Sequence, residues 1–210
     1  MADTKERILM AALRLFARDG YEAVSVSDIA GELGLTKGAL YKHFKNKRDI
    51  FDSIVARMVQ VDGERSREYG VPEEPFDQSP SAYGQVSPEN IRRFTLAQFT
   101  FWTEDEFASN FRKMLTLEQY RSAEMAELYS SCLAAGPLAY MEDIFREMIG
   151  KGILKDADPM QLALEFFAPL YLLINMWDQA KDRTALAALL DCHITGFIQN
   201  ASGKNKPELS

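Results

Sequence analysis

Apolar positions recur along this chain at helical spacings of three and four, and the pattern predicts an all-α protein of about nine helices. Asp3 with Glu6 opens a first helix, Ile8, Ala12, Leu15 and Phe16 form its stripe, and Gly20 stops it. Ser25 with Asp28 is a capping-box pair in front of Ile29, Ala30 and Leu33. Gly34 suits a left-handed stop, and Thr36 caps a further helix, Lys37 to Phe44, with Leu40 and Phe44 inward. Asn46 caps a fourth helix reaching about Tyr69, with Phe51, Ile54, Val55, Met58 and Val61 on one side.

The rhythm then breaks. Residues 70–88 hold Gly70, Pro72, Pro75, Pro80, Gly84 and Pro88, and few large apolar residues. An extended surface loop is expected, a mobile insertion or, alternatively, a lid over a ligand pocket. Helices resume at Pro88, whose stripe is Ile91, Phe94, Gln98, Phe101 and Trp102. Glu104 to Ser131 reads as one long helical region with a break near Asn110. Gly136-Pro137 separates it from a helix to Ile149 carrying Met141, Ile144, Phe145 and Met148. The run from Leu162 to Trp177 is the most apolar, yet Glu165, Pro169 and Asn175 interrupt it. It is shorter than the ~20 apolar residues of a membrane span, so burial on more than one side is expected, and no membrane association. A last helix, Thr184 to Asn200, aligns Leu186, Leu189, Leu190, His193, Phe197 and Ile198; the polar tail from Ala201 is expected to be disordered.

Charge changes this picture once it is divided. The chain carries 24 Lys and Arg against 31 Asp and Glu, a formal net charge of −7. Residues 1–60 hold ten basic and eight acidic side chains, whereas the remainder holds fourteen and twenty-three. A locally basic head on an acidic body excludes a protein that coats nucleic acid along its whole surface, because phosphate would repel the body. The hydrophobic share of 47% and charged share of 26% are those of an ordinary soluble chain. The start of the chain has no secretory pattern, and a cytoplasmic location is expected. Cys132 and Cys192 read as buried, reduced thiols rather than a disulfide or zinc framework.

Two short capped helices joined at a glycine suit the DNA major groove, where the second helix offers its first residues to base edges. The outward residues here are Lys37, Gly38, Ala39, Tyr41, Lys42 and His43, all small, basic or hydrogen-bonding. Ile29-Ala30, Gly34-Leu35-Thr36-Lys37-Gly38-Ala39-Leu40-Tyr41, Phe44 and Lys47 closely resemble the N-terminal signature of the tetracycline-repressor (TetR) family of bacterial regulators. The resemblance runs over roughly residues 3 to 60; beyond them it covers only the order and approximate length of helices. It implies a ligand-responsive repressor that binds a palindromic double-stranded operator as a homodimer, activation being the alternative. It also implies a DNA-binding set of Ser25, Ser27, Thr36, Lys37, Gly38, Ala39, Tyr41, Lys42, His43 and Lys47, with Lys47 on phosphate.

The expected division is a helix-turn-helix domain at 3–61, a helical ligand-binding and dimerisation domain at 62–200, and the tail at 201–210. The last two helices have enough apolar surface to pair with their copies across a two-fold axis, and the resemblance implies the same. The candidate interface is Phe167, Tyr171, Leu186, Leu189, His193 and Phe197. A lipophilic small-molecule effector is expected in the body, with Gln98, Trp102, Met114, Met125, Met141, Phe145, Phe166 and Asn175 as candidate pocket residues. No phosphate loop, nucleophile elbow or HExxH pattern occurs, so no catalytic residue, cofactor or metal is expected. The competing reading is a small-molecule-binding helical protein or an enzyme whose N-terminal helices serve only packing.

Overall fold

In the computed structural model, which describes residues 4–203, the backbone forms helices throughout. In chain order they are α1 (Thr4–Asp19), α2 (Val26–Glu32), α3 (Lys37–Leu40), α4 (Lys47–Tyr69), α5 (Pro80–Tyr83), α6 (Pro88–Glu104), α7 (Glu106–Glu118), α8 (Ala123–Leu133), α9 (Ala135–Gly150), α10 (Pro159–Trp177) and α11 (Arg183–Ala201). Among the described residues the only strand-like pairing is an isolated antiparallel bridge between Leu154 and Ser202. Among the described residues the helix count exceeds the expected nine because α5 forms within the expected loop and the expected helical region at 104–131 divides into α7 and α8.

The chain divides into two compact units, Met1–Gly63 with Glu104–Ser130, and Glu64–Thr103 with Ser131–Ser210. The first unit thus continues past the expected division at residue 61 to Gly63 and includes α7 and most of α8. In that unit α1 lies along α7 and against α2, burying Ile8, Leu13, Phe16, Ile29, Leu40, Phe44, Phe51 and Phe111. Val26, Leu33 and Leu35 beside them are only half-buried. Asp105 starts α7 by accepting the Ala108 amide at 2.9 Å. The expected break near Asn110 is absent, since Asn110 sits within α7 and donates its side-chain amide to the Glu106 carbonyl. The interruption comes at 119–122 instead, where the chain turns before α8.

The second unit is built on α9, α10 and α11, with Phe145, Phe166, Trp177, Leu190 and Ile194 in its core. Asp158 caps α10 by accepting the Gln161 amide at 2.7 Å, and Pro159 takes the first helical position. α10 has the length and hydropathy of a membrane-crossing helix, but Ala163, Phe166, Leu170 and Leu173 are packed into this core.

Residues 70–88 are not a loose insertion. Val71 and Val86 join the core, and α5 packs on α9. Tyr83 is buried with its ring 5.3 Å from Phe76 and 5.8 Å from Tyr140, and its hydroxyl donates to the Glu74 carbonyl at 3.1 Å. Burial pushes the Tyr83 phenol up to about 12. One buried tyrosine anchors a proline-rich segment that composition alone marks as open. The chain end is also more ordered than expected, since Ala201 closes α11 and Ser202 donates its amide to the Ile198 carbonyl at 2.9 Å. The rest of the expected tail, 204–210, lies outside the described residues. Cys132 is half-buried and Cys192 exposed, on the side of α11 opposite Leu190 and Ile194, so the expected burial fails for Cys192.

Candidate nucleic-acid interface

The segment from Ser25 to Lys47 is held by local bonds that its residue types dictate. The Ser25 hydroxyl accepts the Asp28 amide at 3.2 Å, while Asp28 Oδ2 accepts the Ser25 amide at 2.8 Å, which completes the capping box of α2. The Ser25 hydroxyl also donates to Asp28 at 2.6 Å, and these bonds hold the Asp28 carboxyl below its ordinary range. α2 ends in a Schellman turn: Leu35 donates to the Ala30 carbonyl at 2.8 Å and Gly34 to that of Gly31 at 3.0 Å. Gly34 has φ +64°, and a Cβ there would meet nothing, so backbone conformation alone selects glycine.

Thr36 then accepts the Ala39 amide at 3.2 Å and starts α3. Regular α geometry ends at Leu40, earlier than the expected Phe44. From there tighter turns continue, with Lys42 donating to Ala39 and His43 to Leu40. Leu40 and Phe44 anchor this segment in the core. Ser25, Ser27, Thr36, Lys37, Gly38, Tyr41, Lys42 and His43 are all exposed, and Ala39 is half-buried. A Cβ on Gly38 would find nothing nearer than the Thr36 hydroxyl at 4.0 Å. Nothing within the chain requires a glycine at that position.

Lys47 stands apart from this exposed set. It opens α4, whose cap is Asn46, the acceptor of the Asp49 amide at 2.9 Å. Its ammonium donates to the Tyr21 carbonyl at 2.7 Å and the Glu22 carbonyl at 3.4 Å, and stands 4.2 Å from the centre of the Tyr21 ring. The side chain is 22% exposed. Two carbonyls use two of the three ammonium donors, and the Glu22 carboxylate stands 3.9 Å away as a loose, exposed ion pair.

Several arginines of the first unit are paired with carboxylates. Arg14 pairs with Glu106 at 2.9 Å, Arg18 with Asp19 at 2.7 Å, and Arg48 with both Asp52 and Glu124. Exposed basic side chains of the helix-turn-helix segment are Lys37, Lys42 and His43, joined by Lys45. Spacing gave no reason to single out Lys45, or Tyr21 behind Lys47.

The candidate pocket residues are divided between the two units. Met114 and Met125 are buried in the first unit, whereas Gln98, Trp102, Met141, Phe145, Phe166 and Asn175 belong to the second. Phe145 and Phe166 pack edge to face at 5.5 Å, as core. Asn175 is exposed and donates its side-chain amide to the Tyr171 carbonyl at 2.7 Å. The second unit has an open cleft of about 430 Å³ lined by Ser87, Pro88, Glu89, Arg92, Thr195, Ile198 and Gln199, none of them anticipated.

The candidate dimer residues also divide. Leu186 is 6% exposed and belongs to the core of its own chain. Phe197 packs on Phe145 and Phe166 at 5.4 and 4.9 Å, and His193 Nε2–H donates to the Phe166 carbonyl at 3.0 Å. Phe167 and Tyr171 are half-buried, and Leu189 is 58% exposed. Leu164, Leu172 and Met176 of α10 are exposed as well. Apolar residues occupy both sides of α11, and periodicity does not say which side its own chain covers.

Residues 8–54 match the family described as bacterial regulatory proteins, tetR family. The chain is 42% identical over 67 residues to the HTH-type transcriptional regulator AcrR of Shigella flexneri, covering 32% of this chain and 31% of that protein. It is 24% identical over 196 residues to the uncharacterized HTH-type transcriptional regulator YhgD of Bacillus subtilis (strain 168), covering 91% and 95%. Among solved structures, SmeT, the repressor of the Stenotrophomonas maltophilia multidrug efflux pump SmeDEF, shares the fold with a TM-score of 0.64. That likeness has 23% identity and covers 97% of this chain and 92% of SmeT.

Proposed function

Through residues 8–54 the chain belongs to the TetR family of DNA-binding transcriptional regulators, and from that membership we propose that it is a dimeric, ligand-released repressor of a palindromic operator. The observation that carries this reading is the exposed row Lys37, Gly38, Tyr41, Lys42 and His43, on a helix capped at Thr36 and the turns that follow it, anchored by Leu40. Lys37, Lys42 and His43 lie nearest the bases, and Gly38 and Ala39 permit close approach to their edges. Ser25, Ser27, Thr36, Tyr41 and Lys47 hold the sugar-phosphate backbone, which fixes register without reading sequence.

Dimerisation follows from the apolar surface on α10 and α11. Leu164, Leu172, Met176 and Leu189 are too many exposed large apolar side chains on one helix pair to be left in water. A two-fold axis would set the two reading helices about one helical turn of DNA apart, ~34–36 Å. A lipophilic effector bound in the body would favour a different separation and weaken the operator complex by its differential affinity for the two states. A cytoplasmic location accords with these partners.

The test is selection of bound sequences from randomised duplexes, followed by a screen for compounds that release them. A palindromic consensus and at least one releasing compound are expected. Selection that enriches no sequence would overturn the reading.

A further inference from the structure

Glu118 ends α7, yet its carboxylate is among the most buried polar groups of the first unit, 2% exposed. It accepts the Tyr21 amide at 2.9 Å, across 97 residues of sequence. The space it occupies exists because residue 20 is glycine: φ is +85°, and a Cβ there would stand 2.9 Å from Glu118 Oε1. The C-terminal turns of α7 and α1 both lie beside this carboxylate, and a helix C-terminus carries negative partial charge. Burying a carboxylate is costly unless it is hydrogen-bonded or paired, and the Tyr21 amide supplies one such bond.

The other side of Tyr21 meets Lys47. The Tyr21 carbonyl accepts the Lys47 ammonium at 2.7 Å, and the Tyr21 ring lies 4.2 Å from it. That ring is fixed edge-on between Phe16 and Phe51, each 5.2 Å away. Tyr21 is thus held from α7 through its N–H and holds Lys47 through its carbonyl and ring.

We infer that Glu118 is a positioning residue for DNA binding: acting through Tyr21, it fixes the Lys47 ammonium where it meets a phosphate. This rests on the DNA-binding reading of Lys47. It adds that α7, outside the helix-turn-helix segment, controls the salt-dependent and sequence-independent part of the affinity. A movement of α7 that lengthened the Glu118–Tyr21 bond would release Lys47 without disturbing Lys37, Lys42 or His43.

The experiment is a double-mutant cycle on the full chain, with a labelled nonspecific duplex titrated over about 50–200 mM salt. Loss of one phosphate contact flattens the log–log salt slope by about 0.9. Lys47→Met should show that flattening. Glu118→Leu should show most of it, and no further change when added to Lys47→Met. Glu118→Gln keeps an oxygen but accepts a weaker bond than a carboxylate, so it should flatten the slope by less and again only while Lys47 is present. If Glu118→Leu loses its helical circular dichroism at the assay temperature, the Gln variant reads the same cycle. An unchanged slope in the folded Glu118 variant, or an equal loss with and without Lys47, overturns the inference. If Lys47→Met itself leaves the slope unchanged, the phosphate role of Lys47 fails, and the inference fails with it.

Discussion

The Leu35 amide reaches back to the Ala30 carbonyl at 2.8 Å, a bond that can form only because Gly34 between them is left-handed. This bond sets the direction in which the chain leaves α2 and therefore the angle at which α3 is presented. Gly34→Ala places a Cβ in a conformation that costs roughly 1–2 kcal/mol. Urea unfolding should show a loss of that size, with weaker DNA binding, although the new methyl group touches nothing.

Gly38→Ala should do the reverse. The position is helical and open, so alanine should stabilise the fold by roughly 0.5–1 kcal/mol in the same assay. Affinity for the selected operator should fall, because the methyl group occupies space a base edge needs. A variant that is more stable and binds DNA unchanged would remove Gly38 from the interface.

The dimer face is best tested at Leu172 and Leu189, which are 57% and 58% exposed and outside the core of their own chain. Replacing both by Glu should give a monomer by sedimentation velocity, with helical circular dichroism intact and DNA affinity reduced. An unchanged dimer would place the interface elsewhere. Phe197 is not a suitable probe, since its ring packs on Phe145 and Phe166 and a charge there would damage the fold.

Acid should act on the capping box. The Ser25 bonds depress the Asp28 carboxyl in the folded chain, so its contribution to stability is complete above the unfolded value. That contribution disappears as pH falls through the lower folded value. The gap in thermal midpoint between the parent protein and Asp28→Asn should be constant above roughly pH 5 and close below it. A gap that stays constant to the lowest pH would show that the charge contributes nothing.

What the sequence discloses here follows from the range of the interactions. Ser25 with Asp28, Gly34 and Thr36 each act over three or four residues, and their types name the turn they make. The exposed reading row follows from the inward placing of Leu40 and Phe44 on the same turns. The bond between Glu118 and Tyr21 has no such signature, because nothing near Glu118 in sequence mentions its partner. Residues 70–88 mislead for a related reason: prolines advertise a loop, while the ordering comes from Tyr83 meeting Tyr140 far along the chain. On α11, Leu186 and Leu189 look alike by spacing, and only packing tells the covered leucine from the bare one.

The inclusion of α7 in the first unit has a practical meaning for anyone building hybrid regulators. Exchanging the first sixty residues between relatives is the obvious splice, since family identity is concentrated there. In this chain such a graft would set a foreign α1 against the native α7, and a foreign turn against Glu118. It would also cut α4, which runs unbroken through Gly63 and Glu64. The transplantable module is discontinuous, and a working chimera must carry 104–130 along with its reading head.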